Sequence, residues 1–348
     1  MSDMEKANIL HQLKTAFDLP PDILETLLQQ ISSKSIKDNF KRITTGLTIE
    51  DNYKHIYSSL PWIKNISGLH QAQAEKYKKD FQIPDYLLLV EDSQKRKFSL
   101  LIDVKYVKGD KTQCSIIPKQ KHTLRQYAAA HQQPLLIAIY WERLGYWTHN
   151  CLSNFGGKKY NKIDWQAAIS NDLSHLLSDY TFNIDKPFYR KTIFPKPADH
   201  SDRTQPRHLK YGNIDSVFLG KDIAHLYSED EAFYSIVVDA NFNSKIVSVD
   251  DHEDHVCMIE EFSTQPSMIK ISQWLMNVAR LMEIEPSLAV HDRSVLEVAR
   301  FVIVDLMRKL GYSLIYILPN EKNACTDRLF ELAYKDTTVM REYLRGVV

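Results

Sequence analysis

The segment IPDYLLLVEDSQKRKFSLLIDVKYVKG, residues 83 to 109, decides the fold that this sequence predicts. Within it, two short apolar runs with β-prone residues, 86 to 90 and 98 to 104, flank the polar sequence EDSQKRK. This pattern is typical of two adjacent strands that are joined by a turn. The segment therefore predicts a β-hairpin.

The sequence on either side of this hairpin predicts further helices and strands. They are a helix over 68 to 81 before it, and a strand at 112 to 117, a helix at 119 to 131 and a buried strand at 134 to 141 after it. The resulting order of helix, strand, strand, strand, helix and strand predicts an α/β fold, in which helices flank a mixed sheet.

Outside the polar turn, three charged residues lie in or next to the two apolar strands of the hairpin. Asp85 precedes the first strand, and Asp103 and Lys105 lie two residues apart in the second. Because strand residues i and i+2 share a face, Asp103 and Lys105 are predicted to point the same way. Two carboxylates on neighbouring strands can hold Mg²⁺, which prefers oxygen ligands and retains waters. With an adjacent ammonium, such a site contains the groups needed for phosphodiester hydrolysis.

The sequence PDY, a strand, a turn, a strand and DVK resembles the PD-(D/E)XK nuclease superfamily, which includes restriction endonucleases and archaeal Holliday-junction resolvases. The resemblance covers roughly residues 68 to 141 and implies a restriction-endonuclease-like αβββαβ core. It implies that Asp85 and Asp103 are ligands of Mg²⁺, with Mn²⁺ as a substitute, and that Lys105 positions the attacking water. The second acid is Asp, where Glu is common in the family.

The resemblance also implies catalytic and binding residues outside the hairpin. The family often adds an acid from the preceding helix, for which Glu75 is the first candidate and Glu25 the second. It often adds a polar residue from the following helix, where Gln126 is predicted to take that role. Glu75 and Gln126 also fit the ordinary solvated surface of a helix. The basic residues expected to contact nucleic acid are Lys108, Lys111, Lys119, Lys121 and Arg125.

The charged residues of the hairpin have a structural interpretation as well. Asp103 and Lys105 fit a salt bridge on an edge strand, and Asp85 fits a turn after Pro84. The hexapeptide DDHEDH, residues 250 to 255, contains side chains that ligate metals. Its contiguous polar sequence nevertheless favours an acidic loop over a metal site.

The rest of the chain predicts structured regions on both sides of the core. The expected elements are helices at 5 to 18, 21 to 33, 267 to 282 and 292 to 310, and strands at 235 to 238 and 245 to 249. The predicted organisation is an N-terminal helical region (1–65), a nuclease core (66–185), a basic Pro-rich linker (186–210) and a C-terminal α+β domain with a role in recognition, assembly or regulation (211–348).

Composition excludes several classes of protein. An apolar fraction of 44% and a charged fraction of 25% predict a globular protein rather than a disordered or collagenous one. The formal net charge is zero, which argues against a wholly basic coat for nucleic acid. Nine Lys or Arg nevertheless lie between 95 and 125, whereas ten acids lie between 229 and 261. This asymmetry fits a positive surface for phosphates, and it also fits ordinary solvated faces.

The sequence gives no sign of export or membrane insertion. The amino terminus lacks the apolar core of a signal peptide, and no apolar run approaches the ~20 residues that a bilayer requires. The four cysteines are widely spaced, without the CxxC pairs of a zinc site, so buried reduced thiols are expected. We therefore expect a cytoplasmic protein that does not contact a membrane.

The hypothesis that the sequence favours is Mg²⁺-dependent hydrolysis of DNA phosphodiester bonds, by an endonuclease in restriction, repair or anti-phage defence. Double-stranded DNA is the expected partner, and RNA is a variant of the same hypothesis. One alternative is a catalytically silent nuclease-fold protein that acts as a nucleic-acid-binding or assembly component. Another is an interaction protein built on the acidic C-terminal region. Analogy with restriction enzymes predicts a homo-oligomer, or a partner protein bound through the C-terminal domain.

Overall fold

The computed structural model describes residues 3 to 315, except 18, 72, 74, 75, 93, 94, 158, 159, 199 to 206, 224, 229 to 231, 265, 266 and 285 to 292. The chain forms two compact units. The first comprises the described residues of 1 to 57 and 64 to 172, and the second those of 58 to 63 and 173 to 315.

The first unit combines helices and strands along the whole of its sequence. Its helices are α1 (Asp3–Phe17), α2 (Pro21–Leu28), α3 (Lys34–Asp38), α4 (Phe40–Ser58), α5 (Pro118–Ala130) and α6 (Trp165–Ser170). Its strands are β1 (Ile63–Gly68), β2 (Tyr86–Glu91), β3 (Lys97–Val107), β4 (Gln113–Ile116), β5 (Leu135–Trp141), β6 (Tyr146–Cys151) and β7 (Asn161–Asp164).

Five of these strands form a mixed sheet in the order β1-β2-β3-β5-β6. Strands β2 and β3 are antiparallel, β3 and β5 are parallel, and β5 and β6 are antiparallel. A parallel pair needs a crossover connection, which α5 supplies between β3 and β5. Every residue of β5 is buried, as a run of seven apolar residues requires when helices cover both faces of a strand. The predicted α/β class with a mixed sheet is confirmed.

Helices α4 and α5 cover opposite faces of this sheet. In α4, the ring of Tyr53 stacks on that of Tyr86 with centroids 5.8 Å apart. In α5, Leu124 belongs to the same buried cluster as Leu101. Tyr86 pairs with Ile102, the neighbour of Leu101, and successive strand residues face opposite sides. The sheet therefore lies between the two helices.

The order of helix, three strands, helix and strand is present, but its first elements differ from the prediction. It begins with α4 and β1, because the described residues of 68 to 81 are strand end, turn and coil instead of the predicted helix. The predicted strand at 112 to 117 forms β4, which pairs with β7 outside the main sheet. The chain turns away after β3 at Gly109, which has a φ of +62°.

The N-terminal helices follow the predicted apolar periodicity. Helix α1 matches the expected helix at 5 to 18, whereas α2 ends at Leu28, earlier than the predicted residue 33. The side chain of Ser33 instead caps a new helix, α3, by accepting a hydrogen bond from the backbone nitrogen of Ile36. These helices pack in the first unit around Leu10 and Ile31.

The second unit contains three further sheets and three α-helices within its described residues. The strands are β8 (Thr181–Asn183), β9 (Phe188–Pro195), β10 (Arg207–His208), β11 (Gly212–Asn213), β12 (Ser216–Asp222), β13 (His225–Ser228), β14 (Asn243–Asp251), β15 (His255–Ser263), β16 (Met268–Lys270) and β17 (Ser313–Ile315). The helices are α7 (Ala232–Asn241), α8 (Ile271–Ile284) and α9 (Arg293–Lys309).

Strand β9 is central in a sheet of order β13-β12-β9-β15-β14. It lies inside the segment predicted as a linker, 186 to 210, so that prediction is wrong for residues 188 to 195. Pro187 precedes the strand and Pro195 ends it, whereas Phe188, Thr192 and Phe194 of the strand are buried. The strand predicted at 235 to 238 lies in α7, because neighbouring helices bury Val237 and Val238 despite their β propensity.

The structure also gives the bonding state of three cysteines and the length and apolar character of the described helices. Cys114 and Cys257 are buried free thiols, as expected, whereas Cys151 is disulfide-bonded, which corrects the expectation of reduced cysteines throughout. In the part of the chain that the structure describes, no helix combines the length and the apolar character that crossing a membrane would take.

Candidate active site

Strand register places Asp85 beside Asp103. Tyr86 pairs with Ile102 in the antiparallel ladder, so one further step along the register sets Asp85 opposite Asp103. Directly opposed residues of an antiparallel pair share one face of the sheet. The carboxylate of Asp85 also accepts a hydrogen bond from the backbone nitrogen of Val104 at 2.6 Å. This bond holds Asp85 against β3.

Asp103 and Lys105 meet on one face of β3. The ammonium of Lys105 forms an ion pair with Oδ2 of Asp103, and it donates a hydrogen bond to the carbonyl of Val104 at 3.0 Å. Asp103 is 1% exposed to solvent, whereas the side chain of Lys105 is 21% exposed. Burying a charged pair in an apolar strand costs desolvation free energy, which the attraction between the two charges can fail to offset.

A third carboxylate, that of Glu50, reaches the same place from α4. Burial and then the charge of Asp85 raise the pKa of Glu50 to about 8, while Lys105 opposes this rise. Helix α4 carries Glu50 on the turn before Tyr53, whose ring packs against the sheet, and the phenol of Tyr86 donates a hydrogen bond to the carbonyl of Glu50 at 3.0 Å. Two contacts therefore fix this part of the helix over the end of β2.

The charges at this site influence one another strongly. Burial and then the charge of Asp103 raise the pKa of Asp85 to about 7. Burial by itself would lower the pKa of Lys105, but the attraction of Asp103 and Asp85 outweighs burial and raises it. Lys105 therefore keeps its proton at neutral pH, whereas Asp85 and Glu50 titrate near neutrality. Such perturbed groups are typical of functional sites.

The donor set suits a hard divalent cation. Three carboxylates, those of Glu50, Asp85 and Asp103, face the single ammonium of Lys105, so the site has negative charge in excess when they are ionised. Mg²⁺ is usually held by one or two carboxylates and keeps several waters. Among the described residues, no group of three or more His, Cys, Asp or Glu side chains forms a ready metal cage. Asp85 and Asp103 are the two carboxylates of the hairpin that could hold such a cation.

Cys114 lies close to these charges. Burial raises the pKa of its thiol to about 12, although Lys105 opposes the rise. The thiol therefore stays protonated at neutral pH, and it is unsuited to act as a nucleophile.

A cleft of about 930 Å³ opens onto this site within the first unit. Its lining includes Glu50 and Lys105 from the charged cluster, together with Cys114. One side is formed by the N-terminal half of α4, and the other by the end of β3 and the loop that follows it. Glu50 and Lys105 are therefore the two members of the cluster that a ligand in the cleft would meet.

The other predicted catalytic residues do not join this cluster. Glu75 lies outside the described residues. Glu25 is exposed on α2, and Gln126 is exposed on α5, where it is not part of the cleft lining. The helix before the first strand is α4, and Glu50 is the acid that it brings to the charged cluster.

The predicted phosphate-binding residues divide into two groups. Lys108 and Lys111 are exposed and line the cleft. Lys121 instead donates hydrogen bonds to the carbonyl of Phe155 at 2.6 Å and to the side chain of Asn161 at 3.2 Å. Its ammonium thus ties α5 to a loop of its own unit. Lys119 and Arg125 are exposed on α5, and neither lines the cleft.

The segment DDHEDH forms the end of the β14–β15 hairpin. Its first two residues end β14, and Asp251 forms an ion pair with Lys196. The rings of His252 and His255 stack with centroids 4.4 Å apart. The segment is therefore the polar, exposed end of a hairpin, in line with the predicted acidic loop.

A sequence signal for Glu50 exists in the spacing of its neighbours. Ile49, Tyr53, Ile56 and Tyr57 are buried, at positions i, i+4, i+7 and i+8 of one helix face. This spacing, followed by a short strand, identifies the helix that precedes the core. Lys41 and Arg42, which also line the cleft, carry no such signal because both are exposed.

Comparisons with known proteins give a partial likeness to solved structures. No protein-family model matches the chain. No curated protein matches it either. Among solved structures, the chain is similar to Hjc, a Holliday junction resolvase from the archaeal hyperthermophile Archaeoglobus fulgidus, with a TM-score of 0.30 and 15% sequence identity. The likeness covers 38% of this chain and 96% of the resolvase.

Proposed function

We propose that this protein is a metal-dependent nuclease that hydrolyses the phosphodiester bonds of DNA. The observation that carries the proposal is the convergence of Asp85, Asp103 and Lys105 at one end of β3, with Glu50 added from α4. An excess of buried carboxylates beside one ammonium, open to a cleft, suits metal-assisted phosphoryl chemistry and has no evident structural benefit.

Asp85 and Asp103 would hold Mg²⁺, or Mn²⁺ in its place. The bound cation would neutralise charge on the phosphodiester and lower the pKa of a coordinated water. Lys105 keeps its ammonium charged, since the neighbouring carboxylates raise its pKa. At the mouth of the cleft this ammonium orients the attacking water and stabilises negative charge on the phosphate. Asp103 holds the ammonium in place through their ion pair.

Glu50 has a pKa of about 8, so a large fraction of its carboxyl groups carries a proton near neutral pH. It lines the cleft together with Lys105. We assign it the role of a proton carrier, or of a further oxygen ligand once it is ionised.

The test is cleavage of supercoiled plasmid and of branched DNA in the presence of Mg²⁺ or Mn²⁺. We expect cleavage that EDTA abolishes and that is lost in Asp103→Ala and Lys105→Ala. Lys97→Ala is the matched control, because Lys97 lies on the same strand with an exposed side chain that pairs with Glu91. Cleavage that persists in EDTA, or full activity of both site variants, would contradict the proposal. RNA in place of DNA would keep the chemistry and change the substrate.

A catalytically silent nucleic-acid-binding protein is the second candidate. The observation that favours it is the ion pair between Lys105 and Asp103, which engages a carboxylate oxygen that a metal would need. Such a protein would bind DNA in the same cleft, and neither metal would induce cleavage. The plasmid assay, combined with a DNA-binding assay in EDTA, therefore separates the two candidates.

A further inference from the structure

Unpaired cations line both sides of the cleft. Lys41 and Arg42 lie on the side formed by α4, and Lys108 and Lys111 lie on the side formed by the loop after β3. We call these pairs the α4 rim and the loop rim. All four side chains are exposed, and within the described ranges no carboxylate forms an ion pair with any of them.

Other cations near the core hairpin are paired. Lys95 and Lys97 both form ion pairs with Glu91, and Arg96 pairs with Asp92. Within the described residues, the cations at the turn of the hairpin thus pair with carboxylates, whereas the cations of the two rims do not. The lining of the cleft adds a fifth cation, that of Lys105, and contains two acids, Asp38 and Glu50.

The loop rim is held in position by Glu142. Its carboxylate accepts a hydrogen bond from the backbone nitrogen of Gly109 at 2.5 Å and another from the phenol of Tyr106 at 2.5 Å. Glu142 begins a short 3-10 turn directly after β5. Gly109, between Lys108 and Lys111, adopts a positive φ that a side chain would strain. The loop is thus anchored to the sheet at its midpoint.

We propose that the two rims clamp the sugar-phosphate backbone of duplex DNA and lead it to Lys105 and Glu50. Exposed Lys and Arg side chains on two facing walls suit phosphates, whose neutralisation releases counterions. The N-terminal half of α4 is then part of the substrate surface, and Glu142 is a positioning residue for the loop rim. This inference rests on the proposed function, since it takes nucleic acid as the substrate.

The experiment measures binding of a fluorescein-labelled DNA duplex by anisotropy in EDTA, so that cleavage plays no part. The variants are Lys41→Gln with Arg42→Gln for the α4 rim, and Lys108→Gln with Lys111→Gln for the loop rim. Each is expected to weaken binding and to reduce the slope of log K against log salt by about 2, which is ~1 for each phosphate that the variant no longer neutralises. Circular dichroism and thermal unfolding check that each variant folds.

The matched control is Lys95→Gln with Lys97→Gln, which also removes two charges near the hairpin. It should leave the affinity and the salt slope as in the wild type, because both lysines pair with Glu91 and neither lines the cleft. Rim variants that bind as the wild type does, or a control that weakens binding equally, would overturn the clamp. If the wild-type protein itself binds no DNA, the proposed function fails together with the clamp. This result is distinguishable from failure of the clamp alone, in which the wild type binds DNA and the rim variants bind it equally well.

Glu142 is tested through the same assay. Glu142→Ala should weaken binding and lower the salt slope, as removal of the loop-rim charges does, because the loop loses its anchor. Glu142→Gln keeps a side-chain oxygen that can accept the bond from Gly109, and it should restore most of the affinity. If Glu142→Ala binds DNA with the wild-type salt slope, Glu142 does not position the loop rim.

Discussion

Both compact units contain a buried pair of lysine and aspartate, and the two pairs differ in what surrounds them. In the first unit, Lys105 pairs with Asp103 beside two further carboxylates, and its side chain is 21% exposed. In the second unit, the side chain of Lys270 is 1% exposed, and that of Asp179 is 0% exposed. The first pair opens to a cleft, whereas the second is closed to solvent.

Backbone and hydroxyl groups satisfy the pair in the second unit. The ammonium of Lys270 donates to the hydroxyl of Ser174 at 2.7 Å, and its distance to Oδ2 of Asp179 is 3.9 Å. The other oxygen of Asp179 accepts a hydrogen bond from the backbone nitrogen of Ser272 at 2.9 Å. Hydrogen bonds to a hydroxyl and to the backbone therefore hold both members of this pair.

This difference separates a structural pair from a candidate site. A buried ion pair by itself says little about function, because it can serve to hold elements together. The site in the first unit adds an excess of carboxylates, a raised pKa for Asp85 and Glu50, and access for a ligand. The following predictions use the second pair as an internal control for the first.

The largest expected effect is on stability in the second unit. Lys270→Met removes the ammonium beside the buried carboxylate of Asp179 and should lower the free energy of unfolding by about 3–5 kcal/mol. Adding Asp179→Leu removes that charge and should recover most of the loss. Lys105→Met should cost less, because Asp85 and Glu50 can take up protons near neutral pH. Urea unfolding of the four proteins measures these differences, and equal losses for both lysines would contradict the comparison.

The next effect concerns cleavage. Asp103→Asn should reduce the rate of plasmid cleavage in Mg²⁺ by at least ~100-fold, since it removes a charge that acts on the reacting groups. Asp179→Asn should leave the rate per folded molecule unchanged, because Asp179 pairs with Lys270 and has no place in the charged cluster around Lys105. Gel analysis of plasmid conversion at equal concentrations of folded protein compares the two. A similar loss of activity in both variants would mean that the two pairs do not differ in function.

A smaller effect is expected from Ser174→Ala. The variant removes the hydroxyl that accepts a hydrogen bond from Lys270 and leaves one ammonium proton without that partner. A hydrogen bond to a charged group is worth about 1.5–3 kcal/mol, which is the expected loss in the free energy of unfolding. Urea unfolding measures it, and plasmid cleavage should be unchanged. An undiminished stability would show that the pair in the second unit does not depend on this bond.

A further effect is the pH dependence of stability in EDTA. Folding raises the pKa of Asp85 from 3.8 to about 7 and that of Glu50 from 4.5 to about 8. At a pH between the lower and the upper values, the folded protein therefore binds more protons than the unfolded chain. The free energy of unfolding should therefore decrease as the pH rises from about 4 to about 8. Asp85→Asn with Glu50→Gln should flatten this decrease, whereas Asp179→Asn should not. A wild-type stability that increases with pH over this range would contradict the raised pKa values.

The sequence predicted the hairpin and the strand after α5 well because their signals are local. Apolar runs bounded by polar turns define β2, β3 and β5, and the period of a strand places Asp103 and Lys105 on one face. Glu50 was not predicted, because α4 mixes buried aromatic residues with many polar ones, and its contact with the sheet is a matter of tertiary packing. In the second unit, tertiary packing rather than local sequence likewise makes residues 188 to 195 a strand and residues 235 to 238 part of a helix.

The most direct test of the account is the rate of plasmid cleavage in Mg²⁺ by Glu50→Gln. Glu50 comes from a helix distant in sequence from the hairpin, so its participation tests whether the four charged residues form one site. The account predicts a rate at least ~100-fold below that of the wild type, with Glu25→Gln, an exposed acid on α2, as the unaffected control. Cleavage by Glu50→Gln at the wild-type rate would contradict the account.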